Sequence, residues 1–138
     1  GNVDDIKGKY VLLRDDICGT GGTAVKDGKY LKETLGAEGV VFVVSHLDCC
    51  KGAGIQKEKE TLNKLYDSGM EVFTTNTVSH DLSKEQEELI HITDLSEFFA
   101  DNIIAHALNG SVKTYRKARE EEIKTLRKQK YNQPVLVG

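Results

Sequence analysis

Apolar runs alternate with helical patterns along the chain, and this alternation is typical of parallel strands connected by crossover helices. Residues 11–13 and 40–44 are continuous apolar runs, as expected for central strands covered by helices on both faces. The residues between these runs repeat at steps of three and four, which places them on one helix face that ends near a glycine: Ala24, Gly28, Leu31, Leu35 and then Gly36. The pattern predicts a strand–helix–strand unit.

The alternation continues in the following residues. A helix is predicted over residues 56–66, and strands are predicted at 71–75 and 89–92. Asp94 and Glu97 have the spacing of a capped helix start, and Gly110 is placed to end that helix. The residues expected to face inward are Leu62, Leu65 and Tyr66 in the first helix, and Leu95, Phe98, Phe99 and Ile103 in the second. We therefore predict an α/β fold with an open, mostly parallel sheet and flanking helices.

The last part of the chain differs in character. Residues 113–130 are rich in Lys, Arg and Glu, and Glu120 and Lys124 have the spacing that supports a solvated helix. An alternative function for this helix is an oligomer contact or a cap over the site of a neighbouring subunit. Residues 133–138 are predicted to form a short strand, which Pro134 confines to a sheet edge or a strand start. We divide the chain into residues 1–110 and a charged tail of residues 111–138.

Composition excludes several function classes. The chain has 138 residues, of which 38% are hydrophobic, and this size suits one compact domain. Its net charge of -3 provides no general attraction for nucleic acid. The sequence contains no apolar stretch near the roughly 20 residues needed to cross a bilayer. We expect a cytoplasmic protein whose partners are neither nucleic acid nor membrane.

The three cysteines are Cys18, Cys49 and Cys50. An odd count with an adjacent pair does not fit a secreted disulfide framework, so we expect reduced thiols. A zinc site that combines Cys49 and Cys50 with His46 and Asp48 is the alternative. Structural zinc sites usually need a second, separated ligand pair, and the sequence shows none.

Candidate chemistry is concentrated in residues 14–23, between a buried strand and an amphipathic helix. Ligands of open parallel sheets bind at the carboxyl ends of the strands, which is where this segment lies. Glycines at 19, 21 and 22 allow close approach of backbone N–H groups to an anion, and Thr20 and Thr23 add hydroxyl donors. The helix N-terminus behind them favours negative charge. The segment predicts a phosphate-binding loop, although it lacks the Lys and the spacing of the common nucleotide-binding loops.

Two adjacent carboxylates, Asp15 and Asp16, precede the phosphate-binding loop. Like charges in this position repel each other and need donors or a cation nearby, and the hydroxyls of a sugar are suitable donors. The same pair could hold Mg²⁺ through water, since this ion keeps much of its hydration in proteins. The sequence therefore predicts a site for a phosphorylated ribose, with Asp15 and Asp16 on the sugar.

The order of these residues carries a resemblance to a known family. An apolar strand, Asp15-Asp16-Ile17 and, two residues later, Thr20-Gly21-Gly22-Thr23 resembles the ribose-phosphate signature of the type I phosphoribosyltransferase family. Further stretches are similar to the ribose-phosphate pyrophosphokinase branch of that family: 1–3, 7–9, 44–46, 75–77 and 94–100. The resemblance covers residues 1 to about 110.

The resemblance implies a magnesium-dependent transfer of pyrophosphate from ATP to ribose 5-phosphate, a step of nucleotide biosynthesis. Asp15 and Asp16 would bind the ribose hydroxyls, and Gly19, Thr20, Gly21, Gly22 and Thr23 would bind the 5-phosphate. The implied cofactor is Mg²⁺, and no catalytic residue is assigned. A homo-oligomer, or an assembly with another segment, is expected.

Two departures from the family pattern leave alternatives open. The family usually has Asp where this chain has Gly19, and losing a general base commonly slows a reaction about 10²- to 10⁴-fold. The family's portion that precedes the signature, with its ATP-binding domain, has no counterpart here, so we expect the fold to be incomplete at the N-terminus and the chain to be inactive alone. The alternatives are a phosphoribosyltransferase acting on a nucleobase and a non-catalytic ribose-phosphate-binding regulatory subunit.

A second glycine-containing segment follows the strand at residues 40–44. Residues 51–54 are expected at the same edge of the sheet as the phosphate-binding loop, where Lys51 could meet a phosphate. The alternative is an ordinary surface connection.

Overall fold

The computed structural model describes residues 5–107 and, further along the chain, residues 111, 113, 114, 117, 120–122, 124 and 125. The chain divides into two compact units, Gly1–Leu95 and Ser96–Gly138. In the part of the chain that is described, no helix is both long enough and apolar enough to cross a membrane.

The first unit is built on one parallel sheet of four strands. The strands are β1 (Tyr10–Cys18), β2 (Gly39–Leu47), β3 (Glu71–Thr75) and β4 (Ile90–Thr93). They are hydrogen-bonded in sequence order, and all three neighbouring pairs are parallel. The α/β fold with an open parallel sheet is thus confirmed, and β4 begins one residue later than predicted.

Helices connect the strands as the periodicity predicts. α1 (Gly22–Lys29) continues directly into a π-helical segment, Tyr30–Thr34, and the chain then turns at Gly36 with φ +68°. α2 (Ile55–Asp67) joins β2 to β3, with Leu62 and Leu65 buried. Short 3-10 turns lie at Lys51–Ala53 and Gln86–Glu88. α3 (Ser96–Ala107) belongs to the second unit.

The core of the first unit lies on one face of the sheet. Phe42 and Val44 of β2 and Val72 of β3 form it together with Leu65 of α2, and each of these is at most 3% exposed. Gly28 of α1 is pressed against Met70, because an added Cβ would lie 2.3 Å from its sulfur. A larger residue at position 28 would have to push this buried methionine aside.

The opposite face of the sheet is exposed, contrary to the prediction that both faces are covered. Leu12, Val43 and Phe73 are 64%, 38% and 37% exposed. Leu12 is paired with Val41 of β2, and Val43 is paired with Phe73 of β3. Val41 and Val43 are two positions apart in the same strand, so all of these side chains lie on the same face of the sheet. A continuous apolar run indicates that both faces of a strand are suited to burial. Whether both are buried depends on a second layer of structure that covers the other face.

The second unit corrects one further prediction, whereas the described tail residues 113, 114, 117, 120–122, 124 and 125 are helical and exposed, as expected of a solvated helix. Phe98, Phe99 and Ile103 of α3 were expected to be buried but are 44%, 50% and 67% exposed, and Ala105 is the buried residue of this helix. Periodicity identified an apolar helix without showing which side is covered. In the tail, the Lys124 ammonium donates to Glu121 at 2.8 Å rather than pairing directly with Glu120. The predicted stop at Gly110 and the strand at 133–138 lie outside the described residues.

Candidate functional site

The predicted phosphate-binding loop connects β1 to α1 at the carboxyl edge of the sheet. Residues 19–21 leave the strand after Cys18 and enter the helix at Gly22. They surround a small cavity of about 90 Å³, which is lined by Asp15, residues 17–24 and Phe42. The structure therefore brings the loop and one of the two predicted carboxylates into one concave site, which we call the cradle.

Asp15 and Asp16 differ in their relation to the cradle. Successive side chains of a strand point to opposite faces, and only Asp15 is among the residues that line the cavity. Asp15 Oδ1 accepts the N–H of Asp16 at 2.9 Å, and Asp16 Oδ1 accepts the N–H of Ile17 at 2.9 Å. Among the described residues neither carboxylate has a further partner, so each keeps one oxygen for a ligand hydroxyl. A free carboxylate oxygen of this kind also suits contact with a hydrated Mg²⁺ through water, since this ion takes few protein ligands.

The glycine at position 21 is required for two reasons. Its φ of +67° is a left-handed conformation that residues with a Cβ adopt at a cost. A Cβ there would also lie 3.3 Å from Leu65 and 3.6 Å from Thr61 of α2. The close contact with α2 fixes the height of the loop above the core.

Groups from outside the loop hold two of its peptide units. The carbonyl of Cys18 accepts the N–H of Cys49 at 3.0 Å. The carbonyl of Thr20 accepts the ammonium of Lys64 at 3.0 Å. On the other side of that second peptide, the N–H of Gly21 lowers the pKa of the Cys18 thiol, against the larger rise that burial causes. The loop is thus preorganised by contacts that do not involve a ligand.

The thiols beneath the loop are protonated and buried. Burial raises the pKa of Cys18, and it raises the pKa of Cys49 to about 12. Cys49 is 0% exposed, and all three cysteines are free. Among the described residues, no group of three His, Cys, Asp or Glu side chains is placed to hold a metal ion. Of the four side chains weighed as a zinc site, Cys49 belongs to the core and His46 bonds to Thr77.

His46, one of those four residues, belongs to a hydroxyl network at the end of β2. Thr75 Oγ1 donates to the carbonyl of Ser45 at 2.7 Å and lies 2.9 Å from Thr77 Oγ1. Thr77 Oγ1 lies 2.8 Å from His46 Nδ1. Thr77 Oγ1 also donates to the carbonyl of Ser45, at 3.2 Å. The network ties the carboxyl ends of β2 and β3 together.

Lys51 does not lie free at the edge of the sheet. Its ammonium donates to the carbonyl of Ser79 and lies 3.6 Å from Glu58 Oε1. The same carboxylate oxygen is 2.7 Å from His80 Nδ1, and His80 Nε2 bonds to the carbonyl of Leu47. These contacts favour the interpretation of residues 51–54 as a connection, leaving the predicted phosphate contact of Lys51 untested.

Sequence reasoning missed both His80 and Lys64. The side chain of His80 is fully buried, yet it stands in a polar segment without periodicity. Lys64 lies 44 positions from Thr20 and has an ordinary place on a charged helix face. No local signal in the sequence indicates either contact, because both depend on how α2 packs beneath the ends of the strands.

Comparison with known proteins gives a consistent result, although no family model matches the chain. The ribose-phosphate pyrophosphokinase of Pyrococcus furiosus is 41% identical over 80 residues, which are 58% of this chain and 25% of that protein. The ribose-phosphate pyrophosphokinase of Sulfolobus acidocaldarius is 33% identical over 105 residues, which are 74% of this chain and 31% of that protein.

The structural comparison agrees with the sequence comparison. The crystal structure of phosphoribosylpyrophosphate synthetase from Mycobacterium smegmatis matches with a TM-score of 0.58 and 26% identity, over 77% of this chain and 33% of that one. The type I phosphoribosyltransferase fold expected from the signature is confirmed. This chain is thus related in sequence and fold to ribose-phosphate pyrophosphokinases, of which it spans a quarter to a third of the length.

Proposed function

We propose that this chain is the ribose 5-phosphate-binding part of a ribose-phosphate pyrophosphokinase-like enzyme of nucleotide biosynthesis. The complete enzyme would transfer pyrophosphate from ATP to the anomeric oxygen of ribose 5-phosphate. The observation that carries the proposal is the cradle, in which one cavity is lined by a carboxylate and by a glycine-rich loop at a helix start. The names of the sequence relatives and of the structural neighbour support it.

The two ends of the cradle suit the two ends of the ligand. The free oxygen of Asp15, which lines the cavity, would accept a hydroxyl of the ribose, and the free oxygen of Asp16 would accept one outside the cavity. The hydroxyls of Thr20 and Thr23, with the backbone N–H groups of residues 19–23, would donate to the 5-phosphate. A rigid sugar phosphate held at both ends presents its anomeric oxygen in a defined direction, which is what a transfer reaction needs from this part of the enzyme.

Mg²⁺ is the cofactor we propose, with Asp15 and Asp16 as the residues that would hold it through water. When bound, the ion would neutralise negative charge on the phosphate groups. The contribution of this chain is to supply two carboxylates whose hydrogen bonds to backbone N–H groups fix their direction.

Gly19 favours a second candidate, a non-catalytic subunit that binds ribose phosphate. The family usually has a carboxylate at this position, and the structure itself does not require glycine there, since an added Cβ would make an ordinary contact of 3.8 Å with the sulfur of Cys50. A pyrophosphokinase need not use that carboxylate as a base, whereas a nucleobase transferase would be weakened by its loss.

We further propose a cytoplasmic location and assembly with another segment or with copies of the chain. The three free thiols suit a reducing compartment. The exposed apolar face of the sheet, which includes Leu12 and Phe73, would be covered in such an assembly.

The test is a calorimetric titration of the 138-residue chain with ribose 5-phosphate, inorganic phosphate and ribose, combined with an assay of AMP release from ATP. We expect ribose 5-phosphate to bind more tightly than phosphate or ribose alone, because it uses both ends of the cradle. We expect no sustained AMP release, because no described segment supplies contacts for a triphosphate. Equal affinity for ribose 5-phosphate and phosphate would contradict the sugar site, and steady AMP release would contradict a partial function.

A further inference from the structure

The cradle has no cation within its own loop. Residues 19–23 contain only Gly and Thr, so a bound phosphate would be held there by hydroxyls and backbone dipoles. Loops that bind nucleotide phosphates commonly add a Lys at the start of the following helix. Here α1 begins Gly22, Thr23 and Ala24, and has no charged residue in its first turn.

α2 brings a lysine to the loop from a distant part of the sequence. Thr61 and Leu65 pack under Gly21, and Lys64, from the same turns of α2, reaches the carbonyl of Thr20 at 3.0 Å. The charge of Lys64 acts at the base of the loop as well. Burial raises the pKa of Cys18, and the Lys64 charge opposes that rise.

Lys64 contacts the Thr20 carbonyl instead of pairing with Glu60, the acidic residue that α2 places within its reach. Glu60 precedes Lys64 by four residues, the spacing at which a Glu–Lys pair stabilises a helix. In the structure Glu60 pairs instead with Lys57 at 3.2 Å. Within the part of the chain that is described, Lys64 forms no ion pair and donates only to the loop.

We propose that Lys64 is a positioning residue of the cradle, which fixes the peptide between Thr20 and Gly21 and supplies the positive charge that the loop lacks. This inference rests on the proposed function, since it assumes that the cradle holds a phosphate. A peptide unit is planar and its C=O and N–H point in opposite directions. With the Thr20 carbonyl held by Lys64 and Gly21 packed on Thr61 and Leu65, this peptide is fixed by α2 through two kinds of contact. The N–H groups that follow it are thereby set in place before a ligand arrives.

The test compares Lys64→Met, Lys64→Arg and Lys59→Met in the full chain, with inorganic phosphate and ribose 5-phosphate as the probes. Lys59 lies on the same helix but lines a different cavity, so its substitution is a control for loss of one charge. We expect Lys64→Met to weaken both probes about tenfold, the size of one hydrogen bond to a charged group. Lys64→Arg should retain most of the affinity, and Lys59→Met should bind as wild type does.

Two further measurements separate this role from a general effect on folding. The loss of affinity with added salt should be shallower in Lys64→Met than in wild type, because one attractive charge is gone. Amide NMR signals of residues 19–23 should shift in this variant while those of β3 stay in place. If wild type binds both probes and Lys64→Met binds them equally well, the inference is wrong and the cradle stands. If wild type binds neither probe, the proposed function fails first.

Discussion

Cys49 shows how the setting of a single residue changes its chemistry. Its thiol is fully buried and its backbone has a φ of +52°, an unusual conformation for a residue other than glycine. The N–H of Cys49 holds the carbonyl of Cys18, so the backbone of this residue supports the cradle while its sulfur fills the core. In sequence the residue has the character of a metal ligand, and in the structure it has the character of a small apolar side chain.

Burial of Cys49 predicts a loss of stability in alkali. Its pKa is raised from 9.0 to about 12, so between these values the thiol ionises in the unfolded chain and stays protonated in the folded one. The free energy of unfolding should therefore fall as the pH rises from 9 to 12, and the contribution of Cys49 should be fully present below 9. Urea unfolding at several pH values should show a steeper fall for wild type than for Cys49→Ala. Equal slopes would show that this thiol ionises alike in both states.

At the scale of elements, His80 links three segments that are separate in sequence. It joins the connection after β3 to Glu58 in α2 and to Leu47 at the end of β2. The Leu47 carbonyl can only accept, so Nε2 donates to it, and Nδ1 lies 2.7 Å from Glu58 Oε1. Glu58 is 8% exposed, so it depends on this partner and on Lys51 for compensation of its charge.

Removing His80 should destabilise the fold more than removing His91, a half-buried histidine that packs against Phe73. His80→Ala leaves the Glu58 carboxylate and the Leu47 carbonyl without this partner in a buried setting, and we expect a loss of about 3 kcal/mol in the free energy of unfolding. His91→Ala, on the exposed face of the sheet, is the matched comparison and should cost well under half as much. Chemical denaturation of both variants measures the difference, and equal losses would show that the His80 contacts add nothing to its packing.

The positions of the strands and helices could be predicted from the sequence, because they depend on local patterns of apolar residues. Strand and helix positions followed from apolar runs and from the steps between Ala24, Gly28 and Leu31, because these patterns are set by backbone periodicity. The exposed sides of β1 and of α3 were mispredicted, since Leu12 and Phe98 are apolar but not covered. The same holds for the candidate site. The loop at residues 19–23 could be predicted because its residues are contiguous in the sequence. The contact of Lys64 could not, because it depends on packing between distant elements.

At the scale of the whole molecule, the cradle is complete while its surroundings are open. The loop is held by the N–H of Cys49 and by Lys64, both within the first unit. The sheet that carries it exposes apolar side chains on one face. Under the proposed function we expect this part to bind a small ligand by itself, while the reaction would need further segments, since the chain spans 25% and 31% of the two sequence relatives.

The central claim is that the cradle binds the sugar through its carboxylates and the phosphate through its loop. The measurement that tests it most directly is calorimetric titration of Asp15→Asn and Thr23→Val with ribose 5-phosphate and with inorganic phosphate, at fixed Mg²⁺ and salt. Asp27→Asn, an exposed carboxylate of α1, serves as the control. Asp15→Asn should weaken ribose 5-phosphate by roughly 1.5 to 3 kcal/mol and leave phosphate unchanged or slightly favoured, whereas Thr23→Val should weaken both ligands together. An equal loss of both ligands in Asp15→Asn would contradict the account, because the carboxylate would then support the loop and not read the ribose.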